Sequence, residues 1–319
     1  MNASRESHES VENAAPVGRL APSPTGGLHV GNARTFLLAW LSSRARGGRV
    51  LMRIEDIDGP RVKPGLTERA LEDLAWLGFD WDGEALVQSA RLATYRAAAE
   101  RLVATGLGYP CVCSRKEIEE AASAPHESGP DGPIYPGTCR DRFRTLDEAF
   151  AATGRSAALR FRVDRLSVPY RDLFRGDEEG VVRGDFVIQK RDGGPAYQLA
   201  VVVDDAATGV TEVVRGDDLV PSTPRQLLLY EALGFRPPRF AHVPLVLDAA
   251  GMRLAKRNDS TALGVLRECG FEAERVVAAL AKSLGLPRIG ERVGLAELVG
   301  RFDWQAVPKG TVRLGAFDL

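Results

Sequence analysis

Pro22-Ser-Pro-Thr-Gly-Gly-Leu-His29-Val-Gly31-Asn32 lies between two stretches of opposite pattern. Before it, Val17-Gly-Arg-Leu-Ala21 is a short strand candidate. After it, from about Gly31, Phe36, Leu37, Trp40 and Leu41 recur at helical spacing until Gly47-Gly48 stop the pattern. Arg49-Val-Leu-Met-Arg-Ile54 is then a second strand, running into the acidic Glu55-Asp56-Ile57-Asp58. Strand, Gly/Pro loop, helix and strand make one βαβ unit, which predicts an α/β fold with a parallel sheet. Ligands of such sheets sit at the carboxyl ends of the strands, where both the loop and the acidic run lie. A βα loop of this kind offers unpaired N–H groups and a helix dipole to an anion. His29 adds a donor for phosphate oxygens, and Gly31 lets a flat ring such as adenine approach the backbone. The plainer alternative is an ordinary βα loop with a capping histidine.

Outward from this unit, helical patterns cover 66–77 and 91–105. Residues 109–139 change character, with Cys111-Val-Cys113, a short helix candidate at 115–122 and then a Pro/Gly/Ser-rich stretch, and read as an inserted module. Strand patterns return at Asp185–Lys190, Tyr197–Val203, Glu212–Arg215 and His242–Leu247. Thr223-Pro-Arg-Gln226 reads as a capping box with proline at the first helical position. After the basic loop 252–258 the chain is helical in pattern, with Val276, Val277, Leu280 and Leu284 on one stripe. The expected division is a disordered tail at 1–16, the first half of the α/β domain at 17–108 and the inserted module at 109–185. The second half at 186–257 and a short helical region at 258–319 complete it.

Two further groups carry chemistry. Gly251-Met-Arg253-Leu-Ala-Lys256-Arg257 is a basic loop after a strand, able to neutralise a triphosphate as pyrophosphate leaves, or else a solvated charge run. Lys256 is one of only six lysines. Cys111, Cys113 and Cys139 suit tetrahedral zinc if a fourth donor joins them, and a metal staple would give a module without an obvious core a reason to fold. Tyr135 and His126 are both in range as that donor, and three unrelated buried thiols remain the plain alternative. Cys269, on a helical pattern, is expected in the core. Asp204-Asp205 and Asp217-Asp218 are expected to be structural or RNA-facing rather than metal ligands.

Composition narrows the class. The chain has 319 residues, 44% hydrophobic and 27% charged, with a net charge of −1. Length suggests about two domains, and a polyanion partner must be met by a local patch. Residues 139–175 are locally basic, with nine arginines against five acids. Four cysteines are too few for a disulfide-stapled secreted fold. No apolar run reaches transmembrane length, and the polar N-terminus has no secretory h-region. A cytoplasmic monomer without a membrane partner is expected.

Taken together, PSPTGGLHVGN and Arg253-Leu-Ala-Lys256-Arg257 resemble the paired ATP-binding signatures of class I aminoacyl-tRNA synthetases. With Arg53-Ile-Glu-Asp-Ile-Asp58 between them, residues 17 to about 262 resemble the glutamyl-tRNA synthetase group. Asn32 stands where histidine is usual, and Arg253 and Ala255 where lysine and serine are usual. The resemblance implies a Rossmann-like catalytic domain that uses ATP with Mg2+ and L-glutamate. It assigns ATP binding to His29, Gly31, Asn32, Arg253, Lys256 and Arg257, with His29 and Lys256 catalytic through charge stabilisation. It assigns glutamate binding to Arg19, Ala21, Ser23, Glu55, Tyr197 and Arg215. It also implies one structural Zn2+ on Cys111, Cys113, Tyr135 and Cys139, since the smaller members carry that pattern. Arginine suits such a pocket because its planar fork pairs with carboxylates.

Only 62 residues follow Arg257, where a full glutamyl-tRNA synthetase carries an anticodon-binding region. That shortening, with Asp303-Trp304-Gln-Ala-Val-Pro308, resembles a truncated branch of the group. The branch activates glutamate without tRNA and transfers it to queuosine in the anticodon of tRNA(Asp). The rivals are a minimal enzyme charging the 3′ end of tRNA(Glu) and a noncatalytic RNA-binding paralogue.

Overall fold

The computed structural model describes residues 15–57, 61–121, 128–129, 132–247 and 261–314. The tail at 1–14, Asp58, His126 and the basic loop with Arg253, Lys256 and Arg257 lie outside them. Strand β1 (Val17–Leu20) leads through the loop to α1 (Val30–Arg44) and returns as β2 (Arg49–Ile54). The two strands pair in parallel from Val17↔Arg49 to Leu20↔Met52, as the βαβ reading requires. Helix α2 (Leu66–Trp76) then leads to β3 (Leu86–Val87), parallel to β2, and to α3 (Leu92–Ala104).

Next come β4 (Gly108–Cys111), α4 (Arg115–Ala121), β5 (Ser128–Gly129), β6 (Gly132–Pro133), α5 (Leu146–Thr153) and β7 (Ala158–Phe161). This stretch has its own small core, made of Tyr109, Cys111, Val112, Ile118, Tyr135, Cys139, Phe143, Ala149 and Ala157. A hairpin of β8 (Ser167–Asp172) and β9 (Gly176–Val181) follows, then β10 (Phe186–Gln189). Strand β10 joins β7 and β4 in an antiparallel three-stranded sheet.

Residues Tyr197–Val203, expected as a strand, form the start of helix α6 (Tyr197–Thr208). Their valines favour a strand reading, but Leu199 to Val203 are buried on every side, so no polar face marks the helical period. Gly209, at φ +70°, ends the helix. Strand β11 (Glu212–Gly216), helix α7 (Thr223–Ala232) and β12 (Arg239–Val243) form a second parallel crossover, and β12 also pairs with β8. Thr211 N–H donates to the Val17 carbonyl at 2.9 Å, which sets β11 beside β1. The site lies at this junction of the two halves, the expected place for a ligand in a doubly wound sheet.

The chain closes with β13 (Val246–Leu247), α8 (Leu263–Glu268), α9 (Ala273–Ser283), two 3-10 turns and β14 (Val312–Arg313). Strand β14 pairs with β13, so the C-terminal region is not helical throughout. Leu266, Val276, Val277, Leu280 and Leu284 pack into the same core as Leu37, Leu38 and Leu41 of α1. Cys269 is exposed, contrary to expectation. It follows the end of α8, whose core contacts are made by Leu263 and Leu266.

Candidate active site

Four of the six residues assigned to glutamate face one junction, carried on β1, the end of β2, the start of α6 and β11. Arg19 is buried, and its Nη1 donates to the Val214 carbonyl at 3.0 Å while its Nε finds no partner among the described residues. Burial lowers its pKa, and nearby Arg53 and Arg215 push the same way against Asp205 and Glu55. Arg53 is the contrast. Glu55 receives its Nη2 at 2.9 Å and Asp205 its Nη1, and this pairing outweighs burial and raises its pKa. Arg215 is also buried, with no carboxylate on its guanidinium among the described residues. The junction thus holds two buried cations, Arg19 and Arg215, neither in direct contact with a carboxylate among the described residues. Such a charge is costly unless an anion meets it.

Tyr197 stands between the charges. Burial raises its phenol, and Glu55 adds to the effect. Ser23 donates its hydroxyl to Glu55 Oε2 at 3.4 Å. Ala21, half-buried, follows β1 between Arg19 and Ser23. Arg53 and Asp205 escaped sequence reasoning as members of the pocket, although Arg53 opens the quoted acidic run. Asp204 and Asp205 are structural as expected. Asp204 accepts from Gln88, Arg91 and Tyr95 at 2.8–2.9 Å, and Asp205 pairs with Arg53.

The residues around Arg215 were also missed. The predicted capping box does not form at α7. Its N-cap is Ser222 without a side-chain cap bond, because a 3-10 turn over Asp217–Ser222 runs straight into the helix. Thr223 and Gln226 instead accept from Arg215, at 2.8 Å and 2.9 Å. Arg215 Nε donates to His242 Nε2 at 3.0 Å, and His242 Nδ1 meets Asp172 at 2.6 Å. A lone histidine in a strand pattern gave no sign of this.

On the nucleotide side, His29 is the N-cap of α1. Its Nδ1 accepts from Gly31 N–H at 3.1 Å and Asn32 N–H at 3.4 Å, while Asn32 Oδ1 accepts from His29 N–H at 3.1 Å. The capping histidine of the plainer reading is therefore real, and with Nδ1 accepting, a neutral imidazole carries its proton on Nε2. A Cβ at Gly31 would stand 3.0 Å from the His29 ring, so glycine is needed there to admit the cap. The chain re-enters the described region beside this cap. Ala262 bridges His29, and Leu263 N–H donates to the Leu28 carbonyl at 2.8 Å. Ala262 and Leu263 are therefore tethered beside the first signature.

The three cysteine sulfurs lie within 4.8 Å of one another. Tyr135 Oη is 3.3 Å from Cys111 Sγ and 3.8 Å from Cys113 Sγ, and Arg160 stacks 3.8 Å from the Tyr135 ring centroid. Sulfurs on one tetrahedral zinc stand about 3.8 Å apart, from Zn–S bonds of about 2.3 Å. The donor set therefore fits. Burial and the Cys139 contact push the Cys113 thiol up to about 12. A cleft of about 980 Å³ opens beside this cluster, edged by Arg115, Arg160, Arg183, Arg191 and Arg225.

The family model "tRNA synthetases class I (E and Q), catalytic domain" matches residues 17–311. A glutamyl-Q tRNA(Asp) synthetase of Nocardia farcinica is 51% identical over 292 residues, covering 92% of this chain and 91% of that one. One from Symbiobacterium thermophilum is 48% identical, covering 94% and 96%. Among solved structures, a glutamate tRNA ligase from Elizabethkingia meningosepticum in complex with its amino acid superposes with a TM-score of 0.81 at 29% identity. It covers 96% of this chain and 68% of that one. Among the described residues, no helix is long and apolar enough to cross a membrane.

Proposed function

Given that this chain belongs to the class I tRNA synthetases of the E and Q type, and is a ligase, we propose that it activates L-glutamate with ATP, without needing tRNA, and transfers it to queuosine in the anticodon of tRNA(Asp). The observation that carries the amino-acid side is the pair of buried guanidiniums, Arg19 and Arg215, neither of which touches a carboxylate among the described residues. They match a substrate with two carboxylates, while Glu55 suits its ammonium and Tyr197 and Ser23 supply hydroxyls. The names of relatives aligned over nearly their whole length support the RNA side. The arginine-edged cleft is a place where a larger anionic partner fits.

Chemistry in such a site is positioning and electrostatics. The glutamate α-carboxylate attacks the α-phosphorus of ATP in line, forming glutamyl-adenylate and releasing pyrophosphate. His29, through Nε2–H, and Lys256 steady the phosphate charge, with Gly31, Asn32, Arg253 and Arg257 completing the nucleotide contacts. A ring hydroxyl of queuosine then attacks the activated carbonyl, and AMP leaves. No covalent enzyme intermediate is required. Mg2+ would arrive with ATP. Cys111, Cys113, Tyr135 and Cys139 would hold one structural Zn2+, which would staple residues 109–185 as an inserted subdomain.

The test incubates the protein with ATP, labelled glutamate and tRNA from cells with and without queuosine. Label confined to queuosine-containing tRNA and resistant to periodate oxidation of 3′ ends is the expected result. Equal labelling of both pools, lost after periodate, would instead mean a tRNA(Glu)-charging enzyme. No label and no glutamate-dependent pyrophosphate exchange would leave a noncatalytic paralogue.

A further inference from the structure

Arg215, His242 and Asp172 stand on three neighbouring strands, β11, β12 and β8, and their side chains link in one line across the sheet. Arg215 and His242 are direct partners in the parallel register. All three are buried, His242 completely. A guanidinium nitrogen can only donate. His242 Nε2, 3.0 Å from Arg215 Nε, must therefore be the bare acceptor, and Nδ1 carries the proton given to Asp172. Asp172 is fixed in turn by the N–H groups of Phe174 and Arg175, both 2.9 Å from Oδ1, and by that of His242. The Thr223 hydroxyl closes the ring, accepting from Arg215 Nη2 and standing 3.0 Å from the same His242 Nε2.

We propose that Asp172 and His242 are positioning residues for amino-acid binding: Asp172 sets the imidazole tautomer, and His242 then holds the Nε edge of Arg215 so that an Nη1 hydrogen beyond the one given to Gln226 meets a substrate carboxylate, while Nη2 is held by Thr223 and, at 3.5 Å, the Leu219 carbonyl. The proposal rests on Arg215 being a glutamate ligand and adds what orients it. A carboxylate at position 242 would hold the guanidinium equally well, but would neutralise it and compete with the substrate. A neutral imidazole fixes the geometry and leaves the positive charge for the ligand. Burial favours that neutral form, and the Arg215 and Arg175 charges act the same way against Asp172.

Glutamate-dependent ATP–pyrophosphate exchange by the full chain tests this. In Asp172→Asn the amide oxygen can keep the backbone N–H groups while its NH2 faces His242 Nδ1. The ring must then adopt the opposite tautomer and turn an N–H against the Arg215 N–H. The KM for glutamate is expected to rise roughly 10- to 100-fold, with the KM for ATP and the melting temperature little changed. His242→Leu should show the same split, and His242→Gln, whose amide oxygen can reach the Nε2 position, should recover most of the affinity. Should His242→Leu fail to fold, the isosteric Asp172→Asn carries the comparison. An unchanged glutamate KM in folded Asp172→Asn overturns the proposal alone, as does an equal rise in both KM values. Absence of exchange by the unmodified chain overturns the functional reading and the proposal with it.

Discussion

Arg19 and Arg215 are held differently, and the difference bears on what each substitution should do. Arg19 keeps a buried Nε–H without a partner among the described residues, whereas Arg215 is gripped by His242, Thr223 and Gln226. Arg215→Ala therefore removes the proposed glutamate ligand and leaves three polar groups unmatched. Glutamate-dependent pyrophosphate exchange should fall at least about 100-fold, with a loss of stability of about 1–3 kcal/mol, read by thermal melting. Lys256→Ala is expected to cut adenylate formation in the same exchange assay while the melting temperature stays put. Gly31→Ala forces a methyl against the His29 ring, so it should weaken the α1 cap, at about 1 kcal/mol, and impair ATP use more than glutamate use. Arg19, Ser23, Glu55, Tyr197 and Arg215 were assigned through the resemblance of the signatures; the fold brings Arg19, Glu55, Tyr197 and Arg215 near one another, with Ser23 bonded to Glu55. Tyr197 comes there on a helix where a strand was expected. Thr223 and Gln226 were read as a cap, since the residue types that serve a helix end also serve a guanidinium. His242 and Asp172 were not legible at all, because β8 lies 70 positions from its partner histidine and only the folded sheet joins them.

Among elements, the first βαβ unit was readable almost to the residue, and α6 was not. Amphipathic alternation marks an element only when one face meets water, and the first half of α6 does not. The small antiparallel sheet of β4, β7 and β10 was unreadable for another reason, since its strands come from three distant segments. Asp185, just before β10, ties that sheet together by accepting from Tyr109, Arg140 and Val163 N–H. Burial would raise its carboxyl, but Arg140, Tyr109 and the backbone donor hold it below the usual value. A depressed folded-state pKa gives stability that is present above the unfolded value near 3.8 and lost as pH falls through the folded one. Melts across pH 2–7 should show a loss concentrated below about pH 4. Asp185→Asn should flatten that loss and lower stability at pH 7 by about 1–3 kcal/mol.

Across the whole molecule, the C-terminal region secures the core under α1, and the proposed zinc would secure the small core around the three cysteines. Elemental analysis is expected to find one zinc per chain. Chelation, or Cys111→Ser, should lower the melting temperature and raise amide exchange in 108–161 before it does so around α1. Full zinc retention in Cys111→Ser would defeat the four-ligand set. A chain ended at Arg257 should fail to fold, since Leu266, Val276, Leu280, Leu284 and Leu298 complete the core under α1. Arg34 of α1 makes the same connection in polar form. It is fully buried, its pKa pushed down to about 10 by burial, and it donates to Ser283 at 3.2 Å and to the Pro244 carbonyl at 3.1 Å.

The shared core of α1 and α9 has a consequence for synthesis. Helix α1 leaves the ribosome among the first elements, bearing Leu37, Leu38, Trp40 and Leu41, yet the side chains that cover them from α9 are added more than two hundred residues later. The first signature cannot settle into its packed form during most of translation, and its apolar face must wait in a nascent chain exposed to aggregation. Residues 108–161, whose small core is closed within the segment apart from β10, can finish earlier. Birth order and folding order therefore run in opposite directions, with the middle of the polypeptide maturing before its beginning.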